Sequence, residues 1–373
     1  MHLFIPGIGK LCYNITVLNS YMAIMGKNSF FLTDLMKTGD HQLIEKFLNL
    51  STLPGHNISH SGEYYTLHDM KLKNYDRKFA LIDHRLDNVR LWENKYYWQE
   101  LKNRINNLNK DGFKFIIAQQ WESEANLEKH QYYREFLKDM QYHTWSGGSS
   151  WFWFLMYHKH RDKKYNFNHT NKKYDFLYLN KQSRSHRKKL FDALMKERLL
   201  DNSLYSFLDV PYKIKLQSSY ELPWVDTRNY PRYGSDQDIY EPQFNDTAIN
   251  IISETNDNNN DIFITEKLWK PIIAKQVFVV HGNPRYLKKL REMGFKTFDS
   301  IFDESYDSEI NPNKRIEKLT RLCYHLRTMD KEKIYLESES IRQHNHERFF
   351  DITALSNCVD ETVLGFLKFA DRG

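Results

Sequence analysis

Three times between residues 174 and 293 a short apolar run gives way to a turn and then to a stretch of helical spacing. Residues 176–179 precede a helix predicted over 185–200, residues 249–253 one over 265–275, and residues 277–280 one over 285–293, with Gly294 as its stop. Strand, turn and helix repeated in this order predict a doubly wound sheet. Such a sheet takes its ligands beyond the C-terminal strand ends, beside helix N-termini. The first half alternates in the same way: residues 3–6, 79–83 and 113–118 are of strand length, and 43–50 and 96–108 have helical spacing, as in a parallel α/β unit. After Asn313 helices are predicted over 315–329, 331–342 and 353–369, a tail expected to return towards the first half.

A chain of 373 residues exceeds one ordinary core and suits two domains. Residues 147–161 pass from small residues through the aromatic run 151–154 into a basic stretch, which places a boundary near residue 165. The expected units are 1–165, 166–345 and a C-terminal helix in 346–373. An apolar fraction of 40% with few glycines and prolines excludes a fibre or a disordered chain. No run reaches the length of a membrane span, and Lys10, Asn14, Thr16, Asn19 and Ser20 interrupt the opening residues, so neither a span nor a signal peptide is expected. The expected location is the cytoplasm. Cys12, Cys323 and Cys358 are too scattered for a zinc site and suit a reducing compartment.

Charge is uneven along the chain. Between Lys159 and Lys189 eleven basic residues face only Asp162 and Asp175, which leaves a polyanionic partner such as nucleic acid open beside the plainer reading of a solvated linker. The helix predicted from Ser185 opens with His186, Arg187, Lys188 and Lys189. Cations are unfavourable at a helix N-terminus unless an anion lies between them and the unpaired N–H groups. The second helix opens with Thr265 as N-cap, Glu266 suited to the dipole and Lys267 opposed to it. Two helix starts with the same unfavourable feature, both at C-terminal strand ends, point to one diphosphate held by both. Pro271 is expected to bend the second helix.

The segments NIISE at 250–254, FITEK at 263–267 and VFVVHG at 277–282, with an asparagine-rich loop between the first two, resemble the donor-binding core of the α1,3-fucosyltransferase family. FLYLNK at 176–181 with Arg187 following is similar to that family's strand and phosphate-binding arginine. The resemblance covers roughly residues 174–285. Residues 294–298 and 303–307 resemble a broader group of glycosyltransferase-like proteins of bacteria and phages. The fold implied is GT-B-like, with two Rossmann-like doubly wound domains facing a cleft and a helical C-terminal tail. The resemblance implies that Arg187 and Lys267 bind the diphosphate, and that Glu254 and Glu266 contact the sugar or ribose. The donor-binding set is then Asn180, Arg184, Arg187, Glu254, Thr265, Glu266 and Lys267. Phe263 and Thr255 replace a tyrosine and an asparagine of the family pattern, so the donor implied is a nucleotide-diphosphate-sugar of open identity.

Transfer from such a donor needs positive charge opposite the departing diphosphate, supplied by a metal or by fixed cations. Arg187 and Lys267 are the fixed cations, and no metal is expected. Asp236 and Asp238 match the Asp-x-Asp metal motif but read as an ordinary loop. His56 and His60 have metal-pair spacing, yet Pro54 and Gly55 suggest a loop, and His158 and His160 are expected to be exposed. An inverting reaction also needs a base from the first half. Glu122 beside Trp121 is the candidate, and with Glu266 it forms the expected catalytic pair. The leading expectation is an inverting glycosyltransferase acting on a hydroxyl of a glycan or similar acceptor. The alternatives are transfer to a hydroxylated DNA base and a non-catalytic binding or assembly protein on the same scaffold. Neither a Gly-x-Ser-x-Gly elbow nor a Walker A loop occurs.

Overall fold

A computed structural model describes residues 28–34, 56–61, 77–84, 114–119, 141–145, 148–180, 184–207, 237–257 and 262–371, with single positions at 46, 50, 99, 103 and 106. The described strands form two parallel sheets. The first contains β1 (Asn28–Asp34), β2 (His56–Ser61), β3 (Arg77–His84), β4 (Lys114–Gln119) and β5 (Tyr142–Trp145), in the order β2-β1-β3-β4-β5. The second contains β6 (Tyr174–Asn180), β7 (Ser203–Phe207), β8 (Thr247–Ser253) and β9 (Val277–His281), in the order β7-β6-β8-β9. In each sheet the chain runs outward from its first strand, then reverses and continues on the other side. The reversal in the second sheet lies between β6 and β8, the switch point at which α/β sheets open a crevice.

The second sheet is apolar on both faces because helices cover both, so the central strand β8 and the edge strand β9 are buried throughout. On one side α2 (Ser185–Lys196) packs against α6 (Pro312–Thr328). On the other, α4 (Glu266–Ile273) packs against α1 (Gly148–His160) and α8 (Glu339–Phe350). The aromatic run that follows residue 150 packs into this layer. Trp153 stacks on Trp269 and Phe349, meets Phe295 edge-on, and donates its indole N–H to the Phe349 carbonyl at 2.9 Å. The short α3 (Glu241–Asp246) leads into β8, and α9 (Ile352–Asp371) lies against α1 and β5.

The segment from Gly294 to Asp307, left without a role by the sequence, fastens α5 (Tyr286–Glu292) to the sheet. Arg285 at the start of α5 is left-handed (φ 67°) and offers no side-chain cap. The Asp307 carboxylate supplies one from afar, accepting from Leu287 N (2.9 Å) and Lys288 N (3.3 Å). The Tyr306 hydroxyl accepts from Val280 N in β9 at 3.2 Å, and Glu304 accepts from Phe298 N at 2.8 Å while pairing with Arg291 at 3.2 Å. Gly294 takes φ 86°, the left-handed residue anticipated after the helix.

Several expectations are corrected. The helix predicted over 331–342 is two, α7 (Lys331–Glu337) and α8, broken at Ser338, whose hydroxyl accepts from Arg342 Nε at 2.9 Å. His56 and His60 lie in strand β2 and not in a loop. Residues four apart in a strand are about 13 Å apart along the chain, unlike a pair on one helical turn. His160 is buried, not exposed, and hydrogen-bonds the Tyr165 hydroxyl and the Gln237 carbonyl. Residues 3–6, Asp236 and Glu122 lie outside the described residues.

Candidate functional site

Helix α2 begins five residues after the end of β6, and His186 and Arg187 of its first turn point inward. Arg187 is 4% exposed, and its Nε and Nη2 donate to the main-chain carbonyl of Glu254 at 3.3 and 3.1 Å. His186 Nε2 donates to the same oxygen at 2.9 Å, and Arg184 Nη1 to the Thr255 carbonyl at 2.8 Å. Burial, reinforced by Arg184, lowers the pKa of Arg187, and burial likewise lowers that of His186. Lys188 and Lys189 of the same turn stay exposed. No side chain caps this helix.

The other cationic helix start meets the same residue from its side-chain end. Glu254 is 1% exposed. One carboxylate oxygen accepts from Thr265 N at 3.1 Å and the Tyr286 hydroxyl at 2.7 Å, and the other from Thr265 Oγ1 at 2.8 Å and Thr255 N at 3.3 Å. Thr265 is the N-cap of α4, as anticipated, and its hydroxyl oxygen accepts from Lys267 N at 3.4 Å and Lys267 Nζ at 3.1 Å. The Lys267 ammonium lies 3.3 Å from Glu266 and 3.9 Å from Glu254, with its side chain 23% exposed. Burial works against ionisation of Glu266, but Lys267 and Lys270 outweigh it and hold its pKa below the ordinary value.

The structure therefore brings Arg184, Arg187, Glu254, Thr265, Glu266 and Lys267 to one place at the strand switch point, with three cations against two carboxylates. Asn180 closes β6 and is buried. Glu254 does not reach solvent: its oxygens are taken by donors of the protein, and it ties the two helix starts together. Three further residues belong to this neighbourhood. His281 ends β9, fully buried, with Nε2 3.9 Å from Asp257, which lies at 3.9 Å from His186 Nδ1 as well. Burial pushes the pKa of His281 well below the ordinary histidine value. Tyr286 is the third. None carried a sequence signal, because a histidine at a strand end and a tyrosine in a helical apolar stripe read as core, and Asp257, which is buried, falls in an asparagine-rich tract that reads as an exposed loop.

Much of the basic stretch is engaged within the chain. Lys159 pairs with Asp238 at 2.8 Å and Lys173 with Asp246 at 3.2 Å. Lys172 donates to the carbonyls of Asn168, Phe244 and Asn245 at 2.6, 3.0 and 3.1 Å. Burial brings its pKa down to about 7. Among the described residues no cluster of three or more His, Cys, Asp or Glu is placed to hold a metal ion, and no helix is long and apolar enough to cross a membrane.

No protein-family model matches the chain, and no curated protein matches it. A crystal structure of the glycotransferase of kitacinnamycin is similar over 91% of this chain and 100% of its own, at 7% identity and a TM-score of 0.31.

Proposed function

We propose that the chain is a glycosyltransferase that binds the diphosphate of a nucleotide-sugar where α2 and α4 begin. One observation carries the reading: two basic helix starts converge on Glu254 at the switch point of a parallel sheet. An anion there meets the positive ends of both helix dipoles as well as Lys267, Arg184 and Arg187. As the sugar leaves, negative charge grows on the diphosphate, and these cations stabilise it without reorganising. Glu266, ionised and beside Lys267, is suited to accept hydrogen bonds from donor hydroxyls. On this reading the second sheet and its helices are the donor half of a two-domain GT-B arrangement. The first half offers the hydroxyl acceptor and the base, for which Glu122 remains the candidate, and the transfer is inverting, metal-independent and cytoplasmic.

The test is thermal stabilisation by a panel of nucleoside diphosphates and their sugars. A ligand bound only to the folded state stabilises it by about 2.7 kcal/mol at a hundredfold excess over Kd. The wild type should gain with at least one member, and Lys267→Ala should lose that gain. If no member stabilises the protein, the donor site is wrongly placed. A second reading, a binding protein without turnover, is favoured by the guanidinium of Arg187, which already rests on a main-chain carbonyl. Donor hydrolysis separates the two, since a binding protein protects the nucleotide-sugar and never cleaves it.

A further inference from the structure

The Lys267 ammonium rests on Glu266 at 3.3 Å and on the Thr265 hydroxyl oxygen at 3.1 Å, and lies 3.9 Å from the buried Glu254 carboxylate without closing on it. A buried carboxylate short of donors draws a neighbouring ammonium into direct contact, and an ammonium held between two carboxylates is a poorer partner for phosphate than one resting on a single carboxylate. Glu254 is not short of donors, since both its oxygens are supplied by two N–H groups of the chain, the Thr265 hydroxyl and the Tyr286 hydroxyl.

We propose that Tyr286 is a positioning residue for anion binding: by completing the hydrogen-bond set of Glu254, it keeps Lys267 from being locked between Glu254 and Glu266 and so leaves it able to turn to the diphosphate. The inference rests on the donor reading above and adds to it a residue that touches no ligand. The tyrosine hydroxyl makes the shortest of the four bonds, at 2.7 Å, against 2.8, 3.1 and 3.3 Å for the others. Burial, and then the neighbouring Glu254 charge, push the phenol pKa well above its ordinary value, so it remains a donor at any working pH. Its route to Glu254 is also built. A Cβ on Gly282 would stand 3.1 Å from Tyr286 Cδ2 and 3.6 Å from Glu254 Cβ, so the glycine lets the ring lie close over the end of β9. Asp307 fixes the helix start from which the ring projects.

The experiment compares the full-length wild type, Lys267→Ala, Tyr286→Phe and Leu290→Val, the last a control for lost packing in the same helix. Two quantities are read: the Kd for inorganic pyrophosphate by calorimetry, and the rate at which the Lys267 amine is acylated, followed by peptide mass spectrometry. Tyr286→Phe should weaken pyrophosphate about tenfold, as expected for one lost charge-assisted contact, and should slow acylation of Lys267 severalfold as the ammonium closes on Glu254. Leu290→Val should lower Tm and change neither. If Tyr286→Phe does not fold, Gly282→Ala keeps the hydroxyl, displaces the ring, and should show the same pair of effects. Wild-type affinity and wild-type acylation in the tyrosine variant overturn the proposal. A wild type that ignores pyrophosphate overturns the donor reading instead, and the acylation rates then decide the part played by Tyr286 on their own.

Discussion

At the scale of single residues, what could be read from the sequence was charge in the wrong place. Arg187 and Lys267 stand out because each opposes a helix dipole, and Thr265 because it is a capping residue at the right offset. Tyr286, Asp257 and His281 do not stand out, because a buried polar atom has the same letter as an exposed one and only tertiary contact tells them apart. His160 shows the same limit: in a basic stretch it reads as solvated, yet burial brings its pKa down to about 4 against the pull of the Gln237 carbonyl. Folding thus holds it neutral, while the unfolded chain takes up a proton below the ordinary histidine pKa of 6.5. The stability this neutral group contributes is whole above that value and is lost as pH falls towards 4, at up to about 1.4 kcal/mol per pH unit. Urea midpoints between pH 7 and 4.5 should fall for the wild type and fall less steeply for His160→Gln. Parallel slopes would remove His160 as a source of acid sensitivity.

At the scale of elements, legibility followed burial. Strands β6, β8 and β9 are continuous apolar runs because helices cover both faces, and all three are visible in the sequence. The strands β2 and β7, HNISHS and SLYSF, are visible only after their neighbours are known, since neither has the continuous apolar run that makes β9 legible although β9 too pairs on one side alone. Helix α2 is the element whose local chemistry disagrees most with its fold, having a basic first turn, no acid there and no side-chain cap. Lys188→Glu places a carboxylate at this exposed position near the N-terminus and should stabilise the ligand-free protein by about 0.3–1 kcal/mol. The same change should reduce the Tm gain from pyrophosphate. A variant that is more stable and binds equally well would separate the α2 terminus from the anion site. Thr265→Ala removes both the cap of α4 and a donor to Glu254, so it should cost more than the ~1 kcal/mol typical of a lost cap. Urea unfolding measures the difference, and a loss of 1 kcal/mol or less would mean that Glu254 finds another donor.

At the scale of the whole molecule, the two sheets are joined in the described structure by the last helix. His143 of β5 lies edge-on to Phe366 at 5.8 Å and stacks on Phe369 at 5.7 Å, and Lys114 of β4 donates to the Phe369 carbonyl at 3.5 Å. Leu355, Val359 and Val363 of the same helix enter the core shared with the second sheet. The residues of the proposed donor site all lie on the second sheet or its helices, and none lies on α9. If the proposed transferase draws acceptor and base from the first half, loosening α9 should separate binding from turnover. Phe366→Ala removes a buried ring and should lower stability by about 3–5 kcal/mol. Below its Tm the folded variant should bind pyrophosphate with the wild-type Kd, while its rate of sugar transfer falls because the halves are no longer held in register. Equal loss of affinity and turnover would show that α9 supports the donor half directly. An unchanged turnover would show that the first half contributes nothing that depends on this helix.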